Sequence, residues 1–357
     1  MKQVVATNRG EVRVREAPRP VLEGSGAVVQ TICSVFGEGS ELGGLRRTRQ
    51  AARERAGQGP AAVTERPMSY QSCGRIVELS DDLRETFAVG DVVACAGGGF
   101  AAHAEYGYVP RHAMAKVPDG VTPEEAATTN VALTALHALR RAQFQPGEAL
   151  AIIGLGMVGQ CLAQLAAATG GRALATDRYA LRLDLARECG IEAAVDAQAG
   201  DFLADVRQRT NGLGADTVAI CVGGGSSDLM HLAVRLVRPS GVVLMVGGPI
   251  LPDFTGASGD ASPHLKEIDL RWVYGRGAGS RDPAWNRGEV DYPRRFVRWD
   301  ALTNLEALLH LQATGRLRTR PLLTHRFPVQ QAGEAADLLI EHPDQALGVV
   351  LTYAPAP

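Results

Sequence analysis

Lysine is almost missing from this chain: Lys2, Lys116 and Lys266 stand against 34 arginines. A coding bias that replaces lysine wherever charge alone suffices accounts for most of this. A surviving lysine then flags a position where a planar guanidinium fits badly. An excess of either charge is also missing, with 37 basic and 39 acidic side chains, so no global basic field invites nucleic acid. No run approaches about 18 uninterrupted apolar residues, which argues against a membrane partner. The opening MKQVVATNRGEV lacks the apolar core of a signal peptide. The six cysteines (33, 73, 95, 161, 189 and 221) form no CxxC pair, so they suit reduced thiols in a cytoplasm and make poor zinc material. What is present is the balance of a folded protein: 45 % hydrophobic and 21 % charged residues over 357 positions, enough for two domains.

The first 117 residues read as β-rich, with short β-branched runs such as AVVQTICSVF, CGRIVELS and DVVACA between turn residues. From Pro123 a single helix, PEEAATTNVALTALHALRRA, is expected, its proline and glutamates suiting an N-terminus. Strands and helices of about 10–13 residues then alternate through ALAIIGLG, RALATD, AAVD, DTVAICV and GVVLMVG, which predicts a parallel sheet covered on both faces. The tail, from about 301, reads as a return to the first domain. The expected fold is therefore α/β: a β-rich domain over 1–117, completed by 301–357, and a doubly wound domain over 118–300.

The sharpest chemical signal is Gly154-Leu155-Gly156-Met157-Val158-Gly159, which follows a strand and opens a helix. Gly154 permits the tight turn, Gly156 lets the backbone approach a pyrophosphate, and Gly159 allows close helix–strand packing. The second strand ends in Asp177, where a carboxylate accepts from ribose hydroxyls and repels a 2′-phosphate. NAD is thereby favoured over NADP, with the neighbouring Arg178 softening the choice.

VGDVVA (89–94), AEYGYVP (104–110), KVPDG (116–120), the TALHAL helix end and the glycine loop together resemble the medium-chain dehydrogenase/reductase superfamily. That resemblance implies a GroES-like catalytic domain, a Rossmann cofactor domain, a cleft active site and a homodimer. It also implies cofactor contacts at Thr134, through the backbone of Leu155, Met157 and Val158, and at the strand ends Cys221, Val222, Val246, Gly247 and Gly248. The family's catalytic zinc ligands fall on Glu38, Tyr70 and Asn130, which do not make a zinc site, and no four-cysteine lobe follows VGDVVA. The runs KEIDLR (266–271), DYPRRFVRW (291–299) and LTHRFP (323–328) are similar to zinc-free dehydrogenase modules fused to inositol-dehydrogenase-like domains.

Without a metal, side chains must protonate and polarise a ketone oxygen. Tyr70 is the first candidate donor, the alternative being a core tyrosine. Ser40 aligns with the family's proton-relaying hydroxyl, and Glu38 and Glu41 are candidates for orienting substrate or assisting deprotonation. His103 is a further acid–base candidate, and Lys266 a candidate for holding substrate oxygens, unless each serves only the structure. Asn130 and Arg298 are candidate substrate contacts, and the arginine-rich run 45–57 reads as either a lid or a solvated helix. The expected activity is an NAD(H)-dependent, zinc-independent alcohol dehydrogenase or ketone reductase. Its expected substrate is a small polar molecule: a sugar, an aminocyclitol or a natural-product intermediate. A quinone or enone reductase and a non-catalytic NAD-binding protein are the alternatives.

Overall fold

The computed structural model describes residues 1–54, 62–223, 227–247, 254 and 257–354. Its strands in chain order begin with β1 (Lys2–Thr7), β2 (Val12–Glu16), β3 (Gly26–Val35), β4 (Glu65–Pro67), β5 (Gln71–Leu79), β6 (Val92–Ala96), β7 (Tyr106–Pro110) and β8 (Met114–Lys116). There follow β9 (Ala149–Ile153), β10 (Arg172–Asp177), β11 (Ala194–Asp196), β12 (Ala215–Ile220), β13 (Val237–Met245) and β14 (Asp269–Trp272). The chain closes with β15 (His325–Pro328) and β16 (Val349–Thr352).

Two compact units emerge. The first comprises 1–133, 276–315 and 322–357; the second comprises 134–275 and 316–321. Both differ from the expected bounds: 118–133 and 276–300 belong to the first unit, and 316–321 belongs to the second. Side chains anchor 276–300 there: Arg111 Nε donates to the Gly288 carbonyl at 3.0 Å, and Arg276 Nη1 donates to the Ala96 carbonyl at 2.8 Å.

The first unit holds a sheet ordered β15-β16-β3-β5-β6-β8, with β7 also on β3, and a smaller sheet ordered β2-β1-β4. Its interior divides into one cluster around Val4, Phe36, Leu42, Met68 and Leu351 and another around Val29, Ile76, Val93 and Met114. The second unit is a six-stranded sheet ordered β11-β10-β9-β12-β13-β14, parallel throughout. β9 is buried at every position, as a parallel strand covered on both faces must be.

The expected helix from Pro123 is broken. Thr122 and Glu125 form a capping box on Pro123–Ala126, and a new helix runs from Thr129 to Ala142. At the break, Gln312 Nε2 donates to the Glu125 carbonyl at 2.9 Å and the Thr128 hydroxyl donates to the same carbonyl at 2.7 Å. The interruption places Asn130 in the first turn of the second helix. Gln71 Oε1 accepts from the Val131 N–H at 3.1 Å there, tying that turn to β5.

Over its described part the arginine run is a helix with one face tied to its own unit and the other exposed. Helix Gly43–Glu54 buries Leu45 and ties down through Arg46, which donates to the Leu339 carbonyl at 2.6 Å. Arg49 donates to the Gly10 carbonyl at 2.8 Å and pairs with Asp337 and Glu341. Residues 55–57 of the run lie outside the described residues.

Candidate active site

In the second unit, the glycine loop has the geometry its sequence demands. Gly154 adopts φ +98°, a left-handed conformation that favours glycine. A Cβ on Gly159 would lie 2.0 Å from the Gly154 carbonyl oxygen, so only glycine lets the helix Met157–Ala168 start so close to β9. The N-cap Gly156 provides no side chain, so the first-turn N–H groups of Met157 and Val158 receive no side-chain cap. An uncapped helix start after a parallel strand is where a pyrophosphate fits.

Leu155 departs from the expected pattern. Its N–H donates to Asp177 Oδ2 at 2.7 Å and is therefore taken by the carboxylate rather than left for a phosphate. The other oxygen of Asp177 accepts from the Tyr179 N–H at 3.0 Å, and Arg182 Nη1 lies 3.8 Å from Oδ2. Each carboxylate oxygen keeps a lone pair for a ribose hydroxyl. Exposed Arg178 and buried Arg182 both place guanidinium groups over the Tyr179 ring, at 4.8 and 4.9 Å. Cys221 donates its N–H to the Ile153 carbonyl at 2.8 Å. Val246 and Gly247 both donate to the Ile220 carbonyl, and a Cβ on Gly247 would lie 2.0 Å from the Val222 oxygen. These contacts gather the ends of β9, β12 and β13, the carboxyl edge at which open α/β sheets bind ligands. Thr134 sits half-buried on its helix, and Gly248 lies outside the described residues.

Lys266 also belongs to this unit, and its ammonium is spent on structure. It is 5 % exposed, donates to the Val234 carbonyl at 2.7 Å and pairs with Asp260 at 3.1 Å. Burial and these two structural partners set the ammonium to holding its own unit together, in place of the expected hold on substrate oxygens. A lysine reaches that buried carbonyl as a point donor on a long stem.

The first unit assembles the polar cluster. Glu38–Leu42 forms a wide π turn in which Leu42 N–H reaches back five residues to the Gly37 carbonyl at 3.3 Å. Glu38 is buried at its start, and Ser40 and Asn130 both hydrogen-bond the Tyr70 side chain. The Tyr70 ring lies on the backbone of Gly37, where a Cβ would come within 2.6 Å of it, so glycine at 37 is what admits the ring. Desolvation holds the Tyr70 phenol above its ordinary range and the Glu41 carboxylate pushes the same way, against the hydrogen bonds from Ser40 and Asn130 and the charge of Arg276. Tyr70 therefore keeps its proton at neutral pH.

Arg276 was invisible to the sequence reading. It is 6 % exposed, packs against Gly97 and donates to Ala96 and to Asn286 Oδ1, at 2.8 and 3.1 Å. Burial lowers its guanidinium to about 10, still charged at neutral pH. Only the left-handed Gly97, at φ +127°, hints that a side chain presses there.

His103 differs from its expected role. Its ring is fully buried; Nδ1 lies 2.8 Å from Ser34 Oγ and Nε2 lies 3.2 Å from Glu41 Oε2. Both nitrogens are taken by protein partners, so His103 acts on Glu41 and not on a substrate. Arg298 stands apart from the cluster: its guanidinium stacks over the Trp299 ring at 3.8 Å, beside a cavity shared with Thr303 and Glu306.

Among the described residues, no three His, Cys, Asp or Glu side chains group as a metal site. At the positions aligned with zinc ligands stand one carboxylate, a phenol already hydrogen-bonded by its neighbours, and an amide. This donor set does not fit zinc.

A parallel Rossmann sheet in one unit and a β-rich polar unit in the other make up the fold of the alcohol dehydrogenase class. The zinc-binding dehydrogenase family model matches residues 157–281. A Mycobacterium tuberculosis protein that bears the name "Probable zinc-binding alcohol dehydrogenase" is 32 % identical over 281 residues, 69 % of this chain and 68 % of its own. The D-guloside 3-dehydrogenase of Shigella flexneri is 25 % identical over 282 residues, 78 % of this chain and 75 % of its own. A zinc-type alcohol dehydrogenase-like protein of Escherichia coli is 26 % identical over 271 residues, 72 % of this chain, which spans 66 % of that protein's length. The chain belongs to the medium-chain, zinc-type alcohol dehydrogenase-like superfamily.

Solved structures show the same fold. The alcohol dehydrogenase of Thermus sp. ATN1 matches over 99 % of this chain and 100 % of its own, with TM-score 0.76 at 23 % identity. A mycobacterial protein solved with NADPH reaches TM-score 0.71 at 21 % identity, covering 99 % and 100 %. An E. coli alcohol dehydrogenase solved with NADH reaches 0.74 at 16 %, covering 99 % of each chain.

Proposed function

We propose that this protein is an NAD(H)-dependent, metal-independent dehydrogenase that interconverts a secondary alcohol and a ketone on a polar, sugar-like molecule. The observation that carries this reading is Tyr70, a protonated phenol hydrogen-bonded by Ser40 and Asn130 where the family places a zinc ligand. Asp177 at the end of β10 supports NAD over NADP, and the D-guloside, sorbitol and L-galactonate dehydrogenases among the relatives support a polyhydroxylated substrate. A homodimer in the cytoplasm completes the proposal.

The bound nicotinamide supplies or takes up the hydride. Every other part falls to the chain. In reduction, Tyr70 gives its proton to the carbonyl oxygen as the C–O π electrons collect there, and that oxygen stays on its carbon as the alcohol hydroxyl. Ser40 and Asn130 steady the tyrosinate through their hydrogen bonds, and the charge of Arg276 favours it electrostatically. A proton from solvent restores the phenol, so ketone, reduced nicotinamide and one proton become alcohol and oxidised nicotinamide. In oxidation the same groups run in reverse.

The test is a turnover panel of polyols and keto-sugars on purified protein, with elemental analysis for zinc and a Tyr70→Phe variant. Substoichiometric zinc, turnover resistant to chelation, and a fall of about 10²–10⁴-fold in kcat for Tyr70→Phe with NADH binding intact are expected. Stoichiometric zinc, or full activity in Tyr70→Phe, would overturn the mechanism. Preferential reduction of quinones or enones with NADPH would replace the substrate class.

A further inference from the structure

Behind the polar cluster runs a second row of buried groups that no step above uses. Tyr353 Oη lies 2.9 Å from Ser34 Oγ, Ser34 Oγ lies 2.8 Å from His103 Nδ1, and His103 Nε2 lies 3.2 Å from Glu41 Oε2. The Gly37 N–H then donates to the same Glu41 oxygen at 2.8 Å. Ser34 and His103 are wholly buried, Tyr353 is 8 % exposed, and the Glu41 side chain is 10 % exposed. The four residues come from β3, from the end of β16, from the loop before β7 and from the π turn.

Hydrogen-bond chemistry gives this row a direction. A carboxylate only accepts, so Nε2 carries the proton it gives to Glu41. In the neutral ring Nδ1 is then an acceptor and takes the Ser34 hydroxyl proton, which leaves the Ser34 oxygen to accept from Tyr353. Each member fixes the next, and Phe36 packs against the imidazole with ring centroids 5.0 Å apart.

We propose that Ser34 and Tyr353 are positioning residues of the active site: through His103 they fix Glu41, lock the Glu38–Leu42 turn and hold Ser40 against the Tyr70 hydroxyl. The turn needs such a support. Its five-residue span is intrinsically poor in helical geometry, and its N-cap is a glycine with no side chain to close it. Glu41 closes it instead, curling back to the Gly37 N–H while its second tie runs to His103. Ser40 is the covalent neighbour of that anchored residue. The groups that set the ionisation of Tyr70 are Ser40 and Glu41 from the turn, Asn130 from its helix and Arg276 beyond β14. The row touches only the first two. Glu38 and Arg276 are outside it.

This inference rests on the preceding reading only for the catalytic use of Tyr70, so its test reads Tyr70 directly. Difluorotyrosine placed at position 70 titrates nearer neutrality and reports its ionisation by fluorine NMR, with or without turnover. Ser34→Ala should raise the pH at which this phenol ionises, because the Ser40 hydrogen bond that favours the anion loosens. Tyr353→Phe, which removes one hydroxyl from the far end, should shift it the same way by less. Glu41→Gln can keep both accepted bonds but loses the charge, and should lower the titration. In the native tyrosine background, Ser34→Ala should reduce kcat about tenfold with unchanged KM, the scale of one lost hydrogen bond. Should Ser34→Ala fold poorly, Tyr353→Phe carries the same readout. An unmoved titration in the folded hydroxyl-deletion variants would overturn the proposal. A shifted titration in a protein that turns over no alcohol or ketone would leave the positioning row standing and remove the function proposed above.

Discussion

Asp177 staples the glycine loop, and in the function proposed above it also selects the nucleotide; one substitution tests both. Its carboxylate accepts the Leu155 N–H at 2.7 Å and the Tyr179 N–H at 3.0 Å, with Arg182 at 3.8 Å, and it is 6 % exposed. In Asp177→Asn the two backbone donors compete for one oxygen, while the new NH₂ faces a donor. A hydrogen bond to a charged acceptor contributes about 1.5–3 kcal/mol, so losing one and weakening the other costs about 2–4 kcal/mol of folding stability. A ribose hydroxyl loses the same kind of acceptor, which weakens NADH binding about 10- to 150-fold. NADPH, whose 2′-phosphate the carboxylate repels, loses far less, so the preference for NADH collapses. Fluorescence titration with each nucleotide, alongside urea unfolding, measures both effects on one protein. Stability that falls while the NADH-to-NADPH affinity ratio stays fixed would refute the cofactor role and leave Asp177 as a staple of the glycine loop.

Three further outcomes follow from the geometry. Gly159→Ala brings a methyl to 2.0 Å from the Gly154 carbonyl, so nucleotide binding should be abolished while circular dichroism of the first unit's β structure persists. Burial pushes the thiols of Cys33, Cys95, Cys161 and Cys221 up to about 12 and also holds Tyr70 and Tyr353 above their ordinary values. The unfolded chain releases thiol protons from about pH 8.5 and phenol protons from about pH 10, whereas the folded chain retains them. Stability should therefore fall as pH rises from about 9 towards 12, and a urea midpoint unchanged between pH 8 and 10.5 would contradict this sign. Arg49→Ala removes a partly buried guanidinium shared by Asp337, Glu341 and the Gly10 carbonyl, and should cost about 1–3 kcal/mol in denaturant unfolding with KM unaffected.

How legible each part was depends on how local its causes are. The strand, the glycine turn, the helix and Asp177 lie within a short stretch, and each glycine there answers a backbone constraint that its neighbours impose. That unit was readable residue by residue, except that Leu155 spends its N–H on Asp177, a contact 22 residues away. Tyr70, Ser40, Glu41 and Asn130 were nominated through the family resemblance, but their mutual arrangement was not. The break after Ala126 needed Gln312, which no local pattern could supply. Lys266 was singled out for its rarity, and its rarity proved to mark a buried structural ammonium.

By itself, then, the sequence determined the alternation of strands and helices and the glycine turn that opens the helix after β9. These are matters of periodicity and backbone conformation. Only the tertiary structure decided which polar groups share a dielectric interior. Ser34 meets Tyr353 across 319 residues and Arg276 meets Ala96 across 180. Burial makes such contacts strong and orders them into a row, and no property of either residue alone announces the partner.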